Sequence, residues 1–109
     1  MNETALTAVT PDGDRPDAAQ PLVSIGSVRW RERAKVRGRV RSMRVQPWAG
    51  VASLECVVVD DTGSLVLVFL GRRQVAGIEL GRHVIAWGMV GEHRGYLAIL
   101  NPEIEIVGE

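Results

Sequence analysis

The segment "KVRGRVRSMR", residues 35–44, carries a basic side chain at almost every second position. This alternation begins earlier in the chain, because all seven odd positions from Arg29 to Arg41 are basic. Side chains of a β-strand alternate between two faces, whereas a helix would scatter these positions around its axis. Most of the side chains between them are small or apolar, namely Trp30, Ala34, Val36, Gly38 and Val40. The segment therefore predicts a strand over about residues 34–44, with one face in water and the other on a core.

The charge of the chain is concentrated in this element. Basic and acidic side chains balance at 13 each over the 109 residues, yet the net charge is −3 over residues 1–24, +7 over 25–46 and −4 over 47–109. A row of like charges on one strand indicates an anionic ligand. The alternative is a solvated strand face whose charges prevent edge-to-edge pairing.

The rest of the chain is typical of a small all-β domain. After a loop at 47–53, the sequence predicts a strand over 54–60, a turn at "DDTG" and a third strand over 64–70. Val75 and Ile78 are three residues apart between Gly71 and Gly81, which favours a short helix. Strands at 83–91 and 96–100 form a second hairpin around "EHRG", and Pro102 interrupts the last strand before the alternation resumes.

The predicted order is three strands, a short helix and two strands. This is the order of a five-stranded Greek-key barrel of the oligonucleotide/oligosaccharide-binding (OB) type. We therefore predict an OB barrel with one short helix between its third and fourth strands. Gly38, in the middle of the first strand, indicates the bend or bulge that such a barrel needs. Residues 1–22 are acidic, contain proline and lack aromatic residues. They predict a disordered tail, and 23–109 predict the OB-fold domain.

Four stretches carry a resemblance to a known family: "GRV" at 38–40, "DDTGSLVLVF" at 60–69, "GIELGRHV" at 77–84 and "NPEIE" at 101–105. They resemble OB-fold nucleic-acid-binding domains of the anticodon-binding type, especially the wedge domain of the branch-migration helicase RecG, and small stand-alone actinobacterial proteins with this fold. The resemblance implies a barrel that binds single-stranded or branched DNA, or RNA. It does not imply helicase activity, because the sequence contains no glycine-rich loop with a Lys-Ser/Thr pair for ATP.

A single-strand binder of this kind combines cations that follow the phosphates with rings that stack on bases. The predicted nucleic-acid-binding residues are Lys35, Arg37, Arg39, Arg41, Arg44, Trp48, Arg94 and Tyr96. Trp48, in the loop after the first strand, either stacks on a base or packs within the loop. Arg94 and Tyr96 flank the tip of the second hairpin. Phosphate contacts position a strand without reading it, so we expect weak sequence preference.

Strands two and three are apolar on both faces, which leaves a second interpretation open. Val57, Val59, Val66 and Val68 fall on the face that a ligand would contact, and aliphatic side chains stack poorly on bases. The N-terminal segment, a second subunit or another protein would then cover them. The alternative function is a protein-interaction or dimerisation module with no direct role in nucleic-acid binding.

Other residue types indicate little chemistry. Cys56 stands alone in an apolar run, which predicts a small buried residue and excludes a disulfide within the chain. His93 either binds an anion beside Arg94 or lies at an exposed hairpin tip. Neither a catalytic constellation nor the ligand spacing of a metal site is recognisable. No apolar run approaches the roughly 18 residues of a membrane span. We therefore expect a cytoplasmic binding protein without enzymatic activity, metal or cofactor.

Overall fold

The computed structural model describes residues 20–108, which form six β-strands and one 3-10 turn at Ile25–Ser27. The strands are β1 (Arg33–Trp48), β2 (Val51–Asp60), β3 (Gly63–Leu70), β4 (His83–His93), β5 (Tyr96–Leu100) and β6 (Glu103–Ile106). They pair in the order β1-β2-β3-β5-β4, and β4 pairs back with β1. This closed ring confirms the predicted all-β OB barrel. The predicted tail lies outside the described residues, apart from 20–22.

The first strand is long because it belongs to both halves of the barrel. Residues 33–39 pair with β4, and residues 39–48 pair with β2. The change of partner occurs next to Gly38, where an added Cβ would lie 3.0 Å from Ile25 Cδ1 and 3.1 Å from Val58 Cβ. The register then shifts between Val40 and Ser42, which leaves Arg41 in a bulge. Gly38 is therefore required for close packing, and the predicted irregularity follows three residues later.

The last two strands behave as one interrupted strand. Both β5 and β6 pair with β4, and Asn101 and Pro102 separate them. Asn101 has a φ of 50°, its N–H donates to Val68 O at 2.6 Å, and its Oδ1 accepts from Leu70 N at 2.9 Å. The interruption predicted from Pro102 is confirmed, and Asn101 ties it to β3.

Two local predictions are wrong. The short helix expected between β3 and β4 is a series of turns, because Gly71, Gly77 and Gly81 have φ values of 71°, 85° and 84°, which a right-handed helix cannot contain. Ile78 nevertheless reaches the core, as expected. The loop expected at 47–53 is only the two-residue turn Ala49–Gly50, since left-handed φ values at both positions suit a tight hairpin.

The core lies inside the barrel and is closed at one end by the N-terminal segment. Ile25 is 2% exposed, and its N–H donates to Asp60 Oδ2 at 2.8 Å. Burial disfavours ionisation of Asp60, but hydrogen bonds from Ile25, Thr62 and Gly63 outweigh that effect and hold its pKa below the ordinary value. The described part of this segment therefore seals the barrel and does not cover the outer face of β2 and β3.

Cys56 is fully buried in the same core, as predicted. Burial raises the pKa of its thiol to about 11. Within residues 20–108, no helix is long and apolar enough to cross a membrane.

Candidate nucleic-acid interface

A groove of about 410 Å³ runs across the outer face of the barrel. Its lining comes from five strands and one turn: Arg41, Ser42 and Arg44; Glu55 and Val57; Ser64 and Val66; His93, Arg94 and Tyr96. Strand alternation explains this set, because Leu54, Cys56 and Val58 point into the core and leave Glu55 and Val57 outside. The pairs Arg44↔Glu55 and Val57↔Val66 continue the same outer face onto β1 and β3.

A buried polar pair lies at the floor of the groove. Glu55 and His93 are each 6% exposed, and His93 Nε2 lies 2.8 Å from Glu55 Oε2. Because a carboxylate oxygen accepts, His93 Nε2–H is the donor. The Trp48 ring lies over the imidazole, with 4.2 Å between ring centroids and 33° between planes. Trp48 is therefore held by a polar pair beneath it, at the end of a strand and next to the groove.

Arginines surround this floor. Arg44 has a side chain 62% exposed, and its Nε is 3.6 Å from Glu55 Oε1. Arg94 lies in the turn between β4 and β5, and its Nη1 donates to Gln46 Oε1 at 2.6 Å. Tyr96, 67% exposed, begins β5. Arg41, Arg44, Arg94 and Tyr96 are thus brought together, although up to 55 residues separate them in the sequence.

The remaining predicted cations lie elsewhere on the barrel. Lys35, Arg37 and Arg39 pair with Trp87, Ile85 and His83 of β4, in the first half of β1, and none of them lines the groove. Lys35 Nζ lies 5.2 Å from the centre of the Trp87 ring, within cation–π range. The single basic row of the sequence is therefore divided into two groups by the change of partner and the bulge in β1.

A second, more apolar cleft of about 290 Å³ adjoins Trp48. Val68 lies in it and is 1% exposed, whereas Met89 and Leu100 are 49% and 46% exposed. Val57, Val59 and Val66 are half-buried. The apolar surface predicted on β2 and β3 is therefore partly covered by the chain itself.

Sequence reasoning missed Glu55. Of the two interpretations of His93, the exposed hairpin tip is wrong, because His93 is 6% exposed. The two residues are 38 positions apart and meet only because β2 and β4 both border the groove. The available signal was a lone acid in the otherwise apolar run "LECVVV". Among the described residues, no three His, Cys, Asp or Glu side chains are grouped to hold a metal ion.

Comparisons with known proteins bear on the fold. No protein-family model and no curated protein matches the sequence. A domain of replication protein A from Methanococcus maripaludis is similar in structure, with a TM-score of 0.66 at 17% identity over 80% of this chain and 96% of that one. An OB domain from Methanosarcina mazei has a TM-score of 0.62 at 18% identity, over 81% and 84% of the two chains.

A replication factor A related protein from Methanobacterium thermoautotrophicum has a TM-score of 0.58 at 17% identity, over 80% of this chain and 91% of that one. Each of these domains is matched over most of its length. At such identities the likeness concerns the path of the backbone and not individual side chains. Together with the closed five-stranded order, it shows that this chain has the OB fold.

Proposed function

We propose that this protein binds single-stranded nucleic acid, or the single-stranded arm of a branched DNA, in the groove across its barrel. In this proposal it acts in the cytoplasm as a binding protein and has no enzymatic activity. The observation that carries this proposal is that three arginines and Tyr96, from distant parts of the chain, line one groove. Trp48 packs on His93, which also lines that groove. DNA and RNA both present the phosphates and bases that such a groove would contact.

Phosphates would be bound by the arginines of the rim. Arg41, Arg44 and Arg94 have the planar, permanently charged group that suits bidentate phosphate contacts. Lys35, Arg37 and Arg39 extend the positive charge along β1 toward β4, so a longer strand would reach them after leaving the groove. Contacts of this kind position the ligand without reading its sequence, which supports a weak sequence preference.

Bases would stack on two rings near the arginines, the half-buried Trp48 and the exposed Tyr96. Trp48 is supported from below by His93, so its ring is ordered before a ligand arrives. Tyr96 is exposed at the other side of the hairpin turn. Domains named for replication protein A share the fold of this chain, which supports a nucleic-acid ligand. The resemblance of the sequence to the RecG wedge favours a branched one.

Fluorescence anisotropy with a labelled mixed-sequence DNA of about 20 nucleotides tests the proposal, since one OB fold contacts about 4 to 16 nucleotides. About four phosphate contacts predict a slope near −3 for log K against log salt. A matched RNA and a forked duplex would then identify the preferred ligand. Absence of binding to all three at low salt would contradict the proposal.

The apolar cleft next to Trp48 supports a second candidate, a protein-interaction or dimerisation module. Met89 and Leu100 both line this cleft and are each about half exposed. Light scattering after size-exclusion chromatography separates the possibilities for self-association, because the chain mass is 11.9 kDa. A dimer that dissociates when Met89 and Leu100 are both changed to Ser would favour this function over nucleic-acid binding.

A further inference from the structure

Glu55 is an acid at the floor of a groove whose rim is basic. Its Oε2 accepts a hydrogen bond from His93 Nε2 at 2.8 Å. The cation next to Oε1 is Arg44. Its Nε lies 3.6 Å from Oε1, a distance that is too long for a hydrogen bond. Among residues 20–108, no side chain or backbone group donates a hydrogen bond to Oε1. Glu55 lines the open groove, so Oε1 retains the capacity to accept a hydrogen bond from a ligand that fills it.

We infer that Glu55 Oε1 reads a base, in a subsite that selects nucleobases with an exocyclic amino group. This inference rests on the proposed binding of single strands. A carboxylate accepts hydrogen bonds from the amino groups of cytosine, adenine and guanine. In uracil and thymine the N3–H lies between two carbonyl oxygens, so an approaching carboxylate meets at least one oxygen that repels it. Glu55 therefore favours the first three bases and disfavours the other two.

The groups around Glu55 complete the subsite. The Arg44 guanidinium places a hydrogen-bond donor next to the acceptor Glu55 Oε1. One edge of cytosine has the complementary pair, an amino group beside a ring nitrogen that accepts. His93 is a positioning residue, because its hydrogen bond fixes the carboxylate and its ring supports Trp48.

The experiment compares oligo-dC and oligo-dU of about 12 nucleotides, labelled with fluorescein and titrated at neutral pH. These oligomers have the same backbone and no methyl group, and their bases differ only where Glu55 would read them. We expect dC to bind about five- to tenfold more tightly, the lower part of the range for one specific contact. Oligo-dT should behave as dU does.

The variant Glu55→Gln tests the role of the carboxylate itself. Gln has the same length, and its amide can accept from an amino group or donate to a carbonyl oxygen. The amide oxygen would keep the hydrogen bond from His93 and turn the NH2 toward the groove, so the ratio of dC to dU affinity should fall to one or below. The matched control is Glu105→Gln, which removes an exposed acid of β6 outside the groove and should leave the ratio unchanged. Using a ratio prevents a general loss of affinity from imitating the result.

The outcomes distinguish a failure of the base-selective subsite from a failure of single-strand binding. Equal binding of dC and dU by the unmodified protein would overturn the subsite and leave single-strand binding intact. Binding of neither at low salt would overturn single-strand binding itself. If the ratio of dC to dU affinity is unchanged in Glu55→Gln, Glu55 does not recognise the base. If that variant does not fold, Glu55→Asp keeps the buried charge but draws the carboxylate back from the groove, and its ratio should also fall.

Discussion

Trp48 is the residue whose side chain takes part both in packing and in the proposed binding of bases. Its ring lines the apolar cleft and lies on His93, which is held by Glu55 and lines both the cleft and the basic groove. A ring supported in this way loses little conformational freedom when a base stacks on it. The position at the end of β1, and not in a flexible loop, is what makes this support possible.

We expect Trp48→Ala to weaken single-strand binding by about 1 to 3 kcal/mol, with the salt slope unchanged, because a stacked base is lost and no phosphate contact is. Anisotropy titrations at several salt concentrations measure both quantities. Trp30→Ala is the control, since Trp30 is 54% exposed and lines neither cleft. An unchanged affinity in Trp48→Ala would assign this ring to packing alone.

Asp60 is a residue whose charge stabilises the fold. Its pKa is depressed in the folded state, so its contribution is present above the unfolded value near 3.9 and is lost as the pH falls through the folded value. Asp60→Asn should therefore lower the free energy of unfolding at neutral pH by about 1 to 2 kcal/mol, a hydrogen-bonding effect reduced by solvent exposure.

Urea unfolding at neutral pH and again near pH 3 measures this difference, which should shrink in acid as Asp60 becomes protonated in the unmodified protein too. Asp61→Asn is the control, because Asp61 is exposed in the same turn. A difference of equal size at both pH values would show that the charge is not responsible.

At the scale of elements, β1 determines how the positive charge is presented. Its first half carries Arg37 and Arg39 opposite β4, and its second half carries Arg41 and Arg44 in the groove. The same strand therefore offers two arginine pairs that differ in position and hardly at all in chemistry, which makes them matched sites for mutation.

We expect Arg41→Ala with Arg44→Ala to reduce the salt slope for an oligomer of about 8 nucleotides by about 1.4, the equivalent of two single-strand phosphate contacts. Arg37→Ala with Arg39→Ala removes the same charge and should change that slope little. Anisotropy across a salt series measures both. If the second pair has the larger effect, the ligand follows the β4 side of the barrel and not the groove.

At the scale of the whole molecule, the barrel is closed, so we expect its core to become accessible only through global unfolding. Cys56 is fully buried in β2, between β1 and β3, and burial raises the pKa of its thiol to about 11. A neutral, sealed thiol should react with a disulfide reagent such as DTNB only when the barrel opens.

The rate of that reaction should therefore rise with urea in parallel with global unfolding, as followed by tryptophan fluorescence. The chain unfolded in concentrated guanidinium chloride gives the reference rate. Fast reaction in native buffer would contradict this prediction, because it would show that β2 separates from its neighbours without the rest of the barrel.

The barrel could be predicted from sequence because its determinants are local. The alternation around Lys35, the Asp60 turn and the interruption at Pro102 each act within a few residues. Turn conformation was harder to predict from the sequence. The left-handed φ values of Gly77 and Gly81 exclude the predicted helix, and those of Ala49 and Gly50 make the predicted loop a two-residue turn. Glycine is compatible with several backbone conformations, so its presence does not identify which one is adopted.

By itself, the sequence determined the strands, their order and the presence of a basic face, because side-chain periodicity is a property of each strand alone. Only the tertiary structure decided which residues share a surface. Register depends on pairing between distant strands, and the bulge at Arg41 divides a row of cations that looks continuous in the sequence. The same pairing brings Glu55 and His93 together across 38 positions, and no local pattern encodes a contact between strands so far apart.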